Sequence, residues 1–207
     1  MKIGLGYNLM KKLLICIIPL LMLSTPNSLK AETAIDRQVK KIVSERDRND
    51  SKVYKIEKWV RDNVRYHSDN KQFNMNERWT LPMETLQRRK GDCEDGAILI
   101  MSFAVTAGIP ADRLRLYAPI VTSNGMHASV AYRRESDDQW VWVEWTIDRA
   151  HSLGAIDRRH TLKEVSFIPL GYYLEVTSLN PFNMRWHLDR EWQEHSRRIL
   201  GNDIEVE

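Results

Sequence analysis

Cysteine is nearly absent from this chain of 207 residues: only Cys16 and Cys93 occur. Two cysteines exclude a disulfide-dense scaffold and a multi-cysteine zinc or iron–sulfur site. No apolar run reaches the roughly 20 residues that a membrane-spanning helix needs. There is no internal repeat or low-complexity tract, and seven Trp and seven Tyr argue against a disordered chain. Acidic residues are missing altogether from positions 1–31.

That last gap has a meaning. Lys2, Lys11 and Lys12 precede the eleven-residue apolar run 13–23, which Pro19 interrupts, and the polar stretch 24–28 follows. This is the order of a secretory signal peptide, with cleavage expected after Ala31 and Ser28 as the alternative. The expected organisation is therefore a signal peptide at 1–31 and one domain at 32–207, located in the periplasm or secreted. The whole chain carries 31 basic and 28 acidic residues. Without the four lysines of the leader, 27 basic residues face 28 acids, a formal charge of −1. No electrostatic case for nucleic acid remains, because its binders usually show a basic patch or stripe. Cys16 leaves with the leader, so Cys93 stays alone with no partner for an intramolecular disulfide. A solitary thiol in an exported protein is exposed to oxidation and calls for an explanation.

Hydrophobic spacing divides the rest into helices followed by strands. Ile35, Val39, Ile42 and Val43, then Val53, Ile56, Trp59, Val60 and Val64, recur at helical intervals over 34–65, with the polar patch 47–51 between two helices. Residues 66–82 read as irregular, 83–87 as a short helix after Pro82, and 88–92 as a polar loop. Cys93 opens an apolar helix to Ala107 that stops at Gly108 with Pro110 behind it. A helix apolar nearly all round belongs in the centre of a core. The period then changes to two. Strands are expected at 114–121, 127–132 and 140–145, with turns at Asn124-Gly125 and 135–138, and a fourth strand at 167–176. The segment 184–199 reads as a terminal amphipathic helix with Trp186, Trp192, His195 and Ile199 inward. The fold class is α+β in a single domain, a buried central helix packed on an antiparallel sheet.

The chemistry gathers around Gly91-Asp92-Cys93-Glu94-Asp95. A thiol in the first turn of a helix meets the positive end of the helix dipole, which favours the thiolate. A nucleophilic thiol needs a base, and the base an orienting group. His127 opens one strand, and Glu144 or Asp148 lies on the next. A hairpin can set a histidine and an acid side by side near the helix start, as a triad requires. The blander readings are a small buried Cys93, a structural His127, and acids that merely complement the dipole. His67, His151, His160, His187 and His195 show no metal-ligand spacing.

Several segments in order carry a family resemblance: Asn63-Val64-Arg65-Tyr66-His67-Ser68-Asp69, Trp79-Thr80-Leu81-Pro82, Gly91-Asp92-Cys93-Glu94-Asp95, Ala107-Gly108-Ile109-Pro110, Leu114-Arg115-Leu116 and Met126-His127-Ala128. Over about 55–148 the chain resembles the bacterial transglutaminase-like cysteine peptidases (LapG-like). The resemblance implies a papain-like fold and a Cys–His–Asp triad, with Cys93 as nucleophile and His127 as general base and acid. The family acid follows a strand of the form W-x-x-V-D. Here Trp140-Val141-Trp142-Val143-Glu144 matches with glutamate, and Asp148 is the alternative on the same strand face. The resemblance also implies calcium beside the nucleophile, held by Asp92 and Glu94 with Asp95 joining. Carboxylate oxygens suit that cation. It implies further a protein or peptide substrate of the cell envelope and an inner-membrane regulatory receptor. The reaction expected is peptide cleavage through a thioester acyl-enzyme. Transglutaminase or amidase acyl transfer, and a catalytically silent peptide-binding domain of the envelope, are the alternatives.

Overall fold

A computed structural model describes residues 32–122, 125–146, 168–169, 172–176 and 184–200. The expected leader at 1–31, Asp148, His151 and His160 lie outside the described residues. Helix α1 (Ala34–Ile42) starts at a capping box: Thr33 Oγ1 accepts from Asp36 N at 3.1 Å, and Thr33 N donates to the Asp36 carboxylate at 2.7 Å. After a break at 43–48, α2 (Asn49–Asn63) follows. The segment 66–82, expected to be irregular, contains the short helix α3 (Asp69–Phe73). Pro82 occupies the first turn of α4 (Pro82–Arg88), where its missing N–H costs no hydrogen bond.

The expected polar loop 88–92 contains β2 (Lys90–Gly91), which pairs in parallel with β1 (Arg65–Tyr66). Helix α5 (Cys93–Thr106) follows at once. Twelve of its fourteen residues are buried, with α1, α2 and α4 on one side and the sheet on the other. It ends as expected at Gly108, whose φ of +86° is the left-handed conformation that glycine adopts without strain.

Strands β3 (Leu114–Thr122), β4 (Gly125–Arg133), β5 (Trp140–Val143), β7 (Tyr172–Val176) and β8 (Met184–Leu188) form one antiparallel sheet in the order β5-β4-β3-β7-β8. The short β6 (Ile168–Pro169) also pairs with β3. The expected fourth strand thus comprises two short ones among the described residues. The expected terminal helix begins later than 184: Met184–Leu188 is a strand, and α6 (Arg190–Leu200) follows it. The alternation along the strands separates two packing faces. Leu114, Leu116, Val130, Tyr132, Val141 and Val143 join the core around α5. Tyr117, Ile120 and Ala131 meet the buried Trp192 of α6 in a second cluster. Between Tyr117 and Ile120 the β3–β4 register shifts, at Pro119, which has no N–H to give to the ladder. Among the described residues, no helix is long and apolar enough to cross a membrane.

Candidate active site

The site is built at the start of α5. The β1–β2 pair sets Tyr66 opposite Gly91, and His67 N donates to Gly91 O at 2.9 Å. A Cβ on Gly91 would lie 2.6 Å from Asp95 Cβ and 2.9 Å from its Oδ2, so the tight entry to the helix requires glycine. Two residues later Cys93 stands half-buried at the helix N-terminus. Trp145 is buried against that first turn, and its indole donates to Cys93 O at 3.1 Å. Gly96 makes room for the indole, since a Cβ there would fall 2.1–2.5 Å from the ring.

Strand β4 delivers His127, and the chain leaving β5 delivers Glu144. His127 Nε2 lies 2.8 Å from Glu144 Oε2. The other carboxylate oxygen, Oε1, accepts from Thr146 N at 2.8 Å and from Thr146 Oγ1 at 2.7 Å. Burial alone would raise the Glu144 pKa, but His127 and Thr146 outweigh it and the net displacement is downward. Glu144 is therefore a buried carboxylate with both oxygens engaged. Trp145, the residue after Glu144, ties this pair to the helix start through its bond to Cys93 O. Through Trp145 the structure brings the His127–Glu144 pair to the first turn of α5, where Cys93 stands. The thiol itself departs from the dipole argument. Burial, and next the charge of Glu94, push it above the ordinary cysteine range, and its proton is directed at Glu94 Oε2, 3.1 Å away.

A group of carboxylates sits beside this thiol. Asp69, Asp92 and Glu94 are all buried and each offers one oxygen within 4.8 Å of the others. Asp69 N donates to Asp92 Oδ2 at 3.2 Å, and Arg78 N donates to Asp69 Oδ2. Asp69 Oδ1, Asp92 Oδ1 and Glu94 Oε1 are left with no hydrogen-bond partner. Burial, then the mutual interaction of Asp92 and Glu94, keeps Glu94 above the ordinary carboxylate range, and burial does the same for Asp92. Buried anionic oxygens without donors are costly unless a cation shares them. Three hard oxygen ligands in one spot suit calcium.

Asp95, expected to join the metal ligands, is not one of these three, although its Oδ2 is likewise buried without a hydrogen-bond partner. Its Oδ1 accepts from Thr80 N at 2.8 Å, so its side chain braces the 69–80 segment against α5. Asp69 is the third member of the group, and sequence reasoning missed it. The same segment is held from outside by Phe73, whose ring lies under the guanidinium groups of Arg78 and Arg88, at 4.0 and 4.2 Å. Both arginines also reach Glu84.

Comparison with known proteins agrees with this architecture. The family model of the Transglutaminase-like superfamily matches residues 36–145. The calcium-bound structure of Legionella pneumophila LapG is similar, with a TM-score of 0.53 at 14% identity over 80% of this chain and 97% of that one. EGTA-treated LapG from the same organism gives a TM-score of 0.48 at 13% identity over 80% and 95% of the two chains. At such identities the first likeness is one of fold. No curated protein sequence matches the chain.

Proposed function

Because this chain belongs to the transglutaminase-like superfamily, we propose that it is an exported cysteine peptidase that cleaves a peptide bond in an envelope or surface protein. The observation that carries the reading is the 2.8 Å bond between His127 Nε2 and buried Glu144, whose neighbour Trp145 is hydrogen-bonded to Cys93 O. With Nε2 engaged by Glu144, proton transfer falls to Nδ1. The imidazole takes the thiol proton as Cys93 attacks the carbonyl carbon. It then returns that proton to the departing amine, leaving a thioester on Cys93. His127 next activates water, and the thioester is hydrolysed. Glu144 stabilises the imidazolium through this cycle and fixes the ring by its second bond to Thr146.

Calcium fits the carboxylate group, on the evidence of its three unpartnered buried oxygens. Asp69, Asp92 and Glu94 would hold the ion, and its charge would offset the negative field now acting on the Cys93 thiol. LapG has been obtained calcium-bound, which supports calcium as the cation here. The resemblance to the LapG-like peptidases supports a membrane receptor as the regulatory partner.

Iodoacetamide labelling at pH 6 in millimolar calcium tests the enzyme reading, because an ordinary thiol of pKa near 8.5 reacts slowly there. Cys93 is expected to be alkylated faster in the native protein than in a denatured control. Equal or slower labelling removes the reading. Proteomics of the exported fraction, comparing Cys93→Ser with the parent chain, is expected to reveal an uncut envelope protein and so name the substrate. A transglutaminase would instead lose cross-linked species in the same comparison.

A further inference from the structure

Acyl transfer places negative charge on the carbonyl oxygen, and enzymes meet it with hydrogen-bond donors aimed at that position. One donor is evident: the backbone N–H of Cys93 lies in the first turn of α5, where helix amides have no partner within the helix. We propose that the hydroxyl of Tyr66 is the second donor, which makes Tyr66 a catalytic residue that touches the substrate carbonyl. The inference rests on the acyl-transfer reading above.

Strand β1 places Tyr66 opposite Gly91, two residues before the nucleophile. Its backbone is pinned on both sides, by Arg65 N donating to Arg89 O and His67 N donating to Gly91 O, each at 2.9 Å. The ring lies 6.3 Å from that of Trp145, whose indole bonds the Cys93 carbonyl. Tyr66 is therefore built into the same framework as Cys93 rather than into the core, and it is 57% exposed. Partial burial acts most strongly on its hydroxyl. Among charged neighbours Cys93 acts more strongly than Asp92, Glu94 or Asp69. The phenol is pushed up to about 12, so near neutrality it keeps its proton and can donate. A core tyrosine would be covered, and a purely solvating one would not pack its ring against the indole that bonds Cys93 O.

In the step concerned, the Cys93 sulfur bonds to the carbonyl carbon as the carbonyl π pair moves onto oxygen. When that pair returns, the bond to the leaving group breaks, and an amine departs with the proton held by His127. Tyr66 lends a hydrogen bond to the oxygen and keeps its proton throughout.

Two probes separate this role from a role in positioning the thiol. p-Nitrophenyl acetate acetylates a thiolate through an oxyanion, with p-nitrophenolate leaving. Iodoacetamide alkylates it by displacement of iodide, with no oxyanion. In full-length Tyr66→Phe protein with millimolar calcium, Cys93 acetylation is expected to slow by about 10²-fold. Iodoacetamide alkylation should stay within about twofold of the parent. Acetylation at the parental rate overturns the proposal, and so does a parallel loss with both probes, which would assign Tyr66 to positioning the thiol. Matching thermal melts of the two proteins check that the variant folds. If the parent protein shows no acetylation above a Cys93→Ser blank, the acyl-transfer reading itself falls, and this inference falls with it.

Discussion

Glu144 shows how one methylene is accommodated. The family pattern ends its strand in aspartate, whereas here the longer acid spans from Thr146 to His127, with one oxygen for each. Glu144→Gln keeps the shape but replaces one acceptor oxygen with a donor NH2 and removes the charge that stabilises the imidazolium. It is expected to lower kcat on the order of 10⁴-fold, while Asp148→Asn leaves kcat near the parent value. Steady-state kinetics of the two variants decides the acid; a crippled Asp148→Asn beside an active Glu144→Gln would reverse the assignment. Cys93, His127 and Glu144 were legible because each stands in a pattern that sequence can carry: a helix start, a strand start and a strand end. Asp69 was not. It lies 23 residues before Asp92, and only the fold joins them. For Asp95, proximity to Cys93 says nothing about the Thr80 amide that engages one of its oxygens, the other being buried without a hydrogen-bond partner. Asp69→Asn is therefore expected to abolish the rise in Tm that calcium produces, and Asp95→Asn to leave a rise of the parent's size; calorimetry with and without EGTA compares them.

At the level of elements, long periodic segments were legible and two-residue ones were not. Helix α5 is apolar on nearly every side, so its central place follows from composition alone. The β1–β2 pair has too few residues to show a period, yet it positions Tyr66, His67 and the entry to Cys93. Met184–Leu188 carries Trp186 at a spacing compatible with a helix, but pairing with β7 decides in favour of strand. Gly96 offered a usable signal. Glycine inside a helix costs about 1 kcal/mol relative to alanine, so its presence in an apolar helix indicates a close neighbour. That neighbour is the Trp145 indole. Gly96→Ala gains helix propensity but expels the indole from its seat, breaking the bond to the Cys93 carbonyl. The expected net result is a loss of roughly 1–3 kcal/mol of stability, as for other overpacked sites. Urea unfolding measures it, and an unchanged or raised midpoint would show that Trp145 can move without cost.

At the scale of the molecule, the site sets how stability depends on pH. Asp92, Glu94 and Asp95 all have folded-state pKa values raised above the ordinary carboxylate range, with burial as the first cause. An acid whose pKa is raised by folding binds its proton more tightly in the native state. Its stabilising contribution is complete below the unfolded pKa, roughly 4, and is lost as pH rises through the folded value. Glu144 acts in the opposite sense. Its folded pKa is lowered, so its contribution is present above the unfolded value and disappears on acidification. The lowered acids, Glu144 with Asp47 and Asp50, titrate below about pH 5, so from there towards 8 the three raised groups make the metal-free protein lose stability. Calcium reverses the slope, because its ligands are the deprotonated carboxylates and its affinity increases as they ionise. Thermal melts from pH 5 to 8 in EGTA are thus expected to show a falling Tm. The same series in millimolar calcium should show a gap over EGTA that widens with pH. A Tm in EGTA that rises across this range would mean that the buried acids pay no desolvation cost, and a gap independent of pH would mean that calcium binds away from Asp69, Asp92 and Glu94.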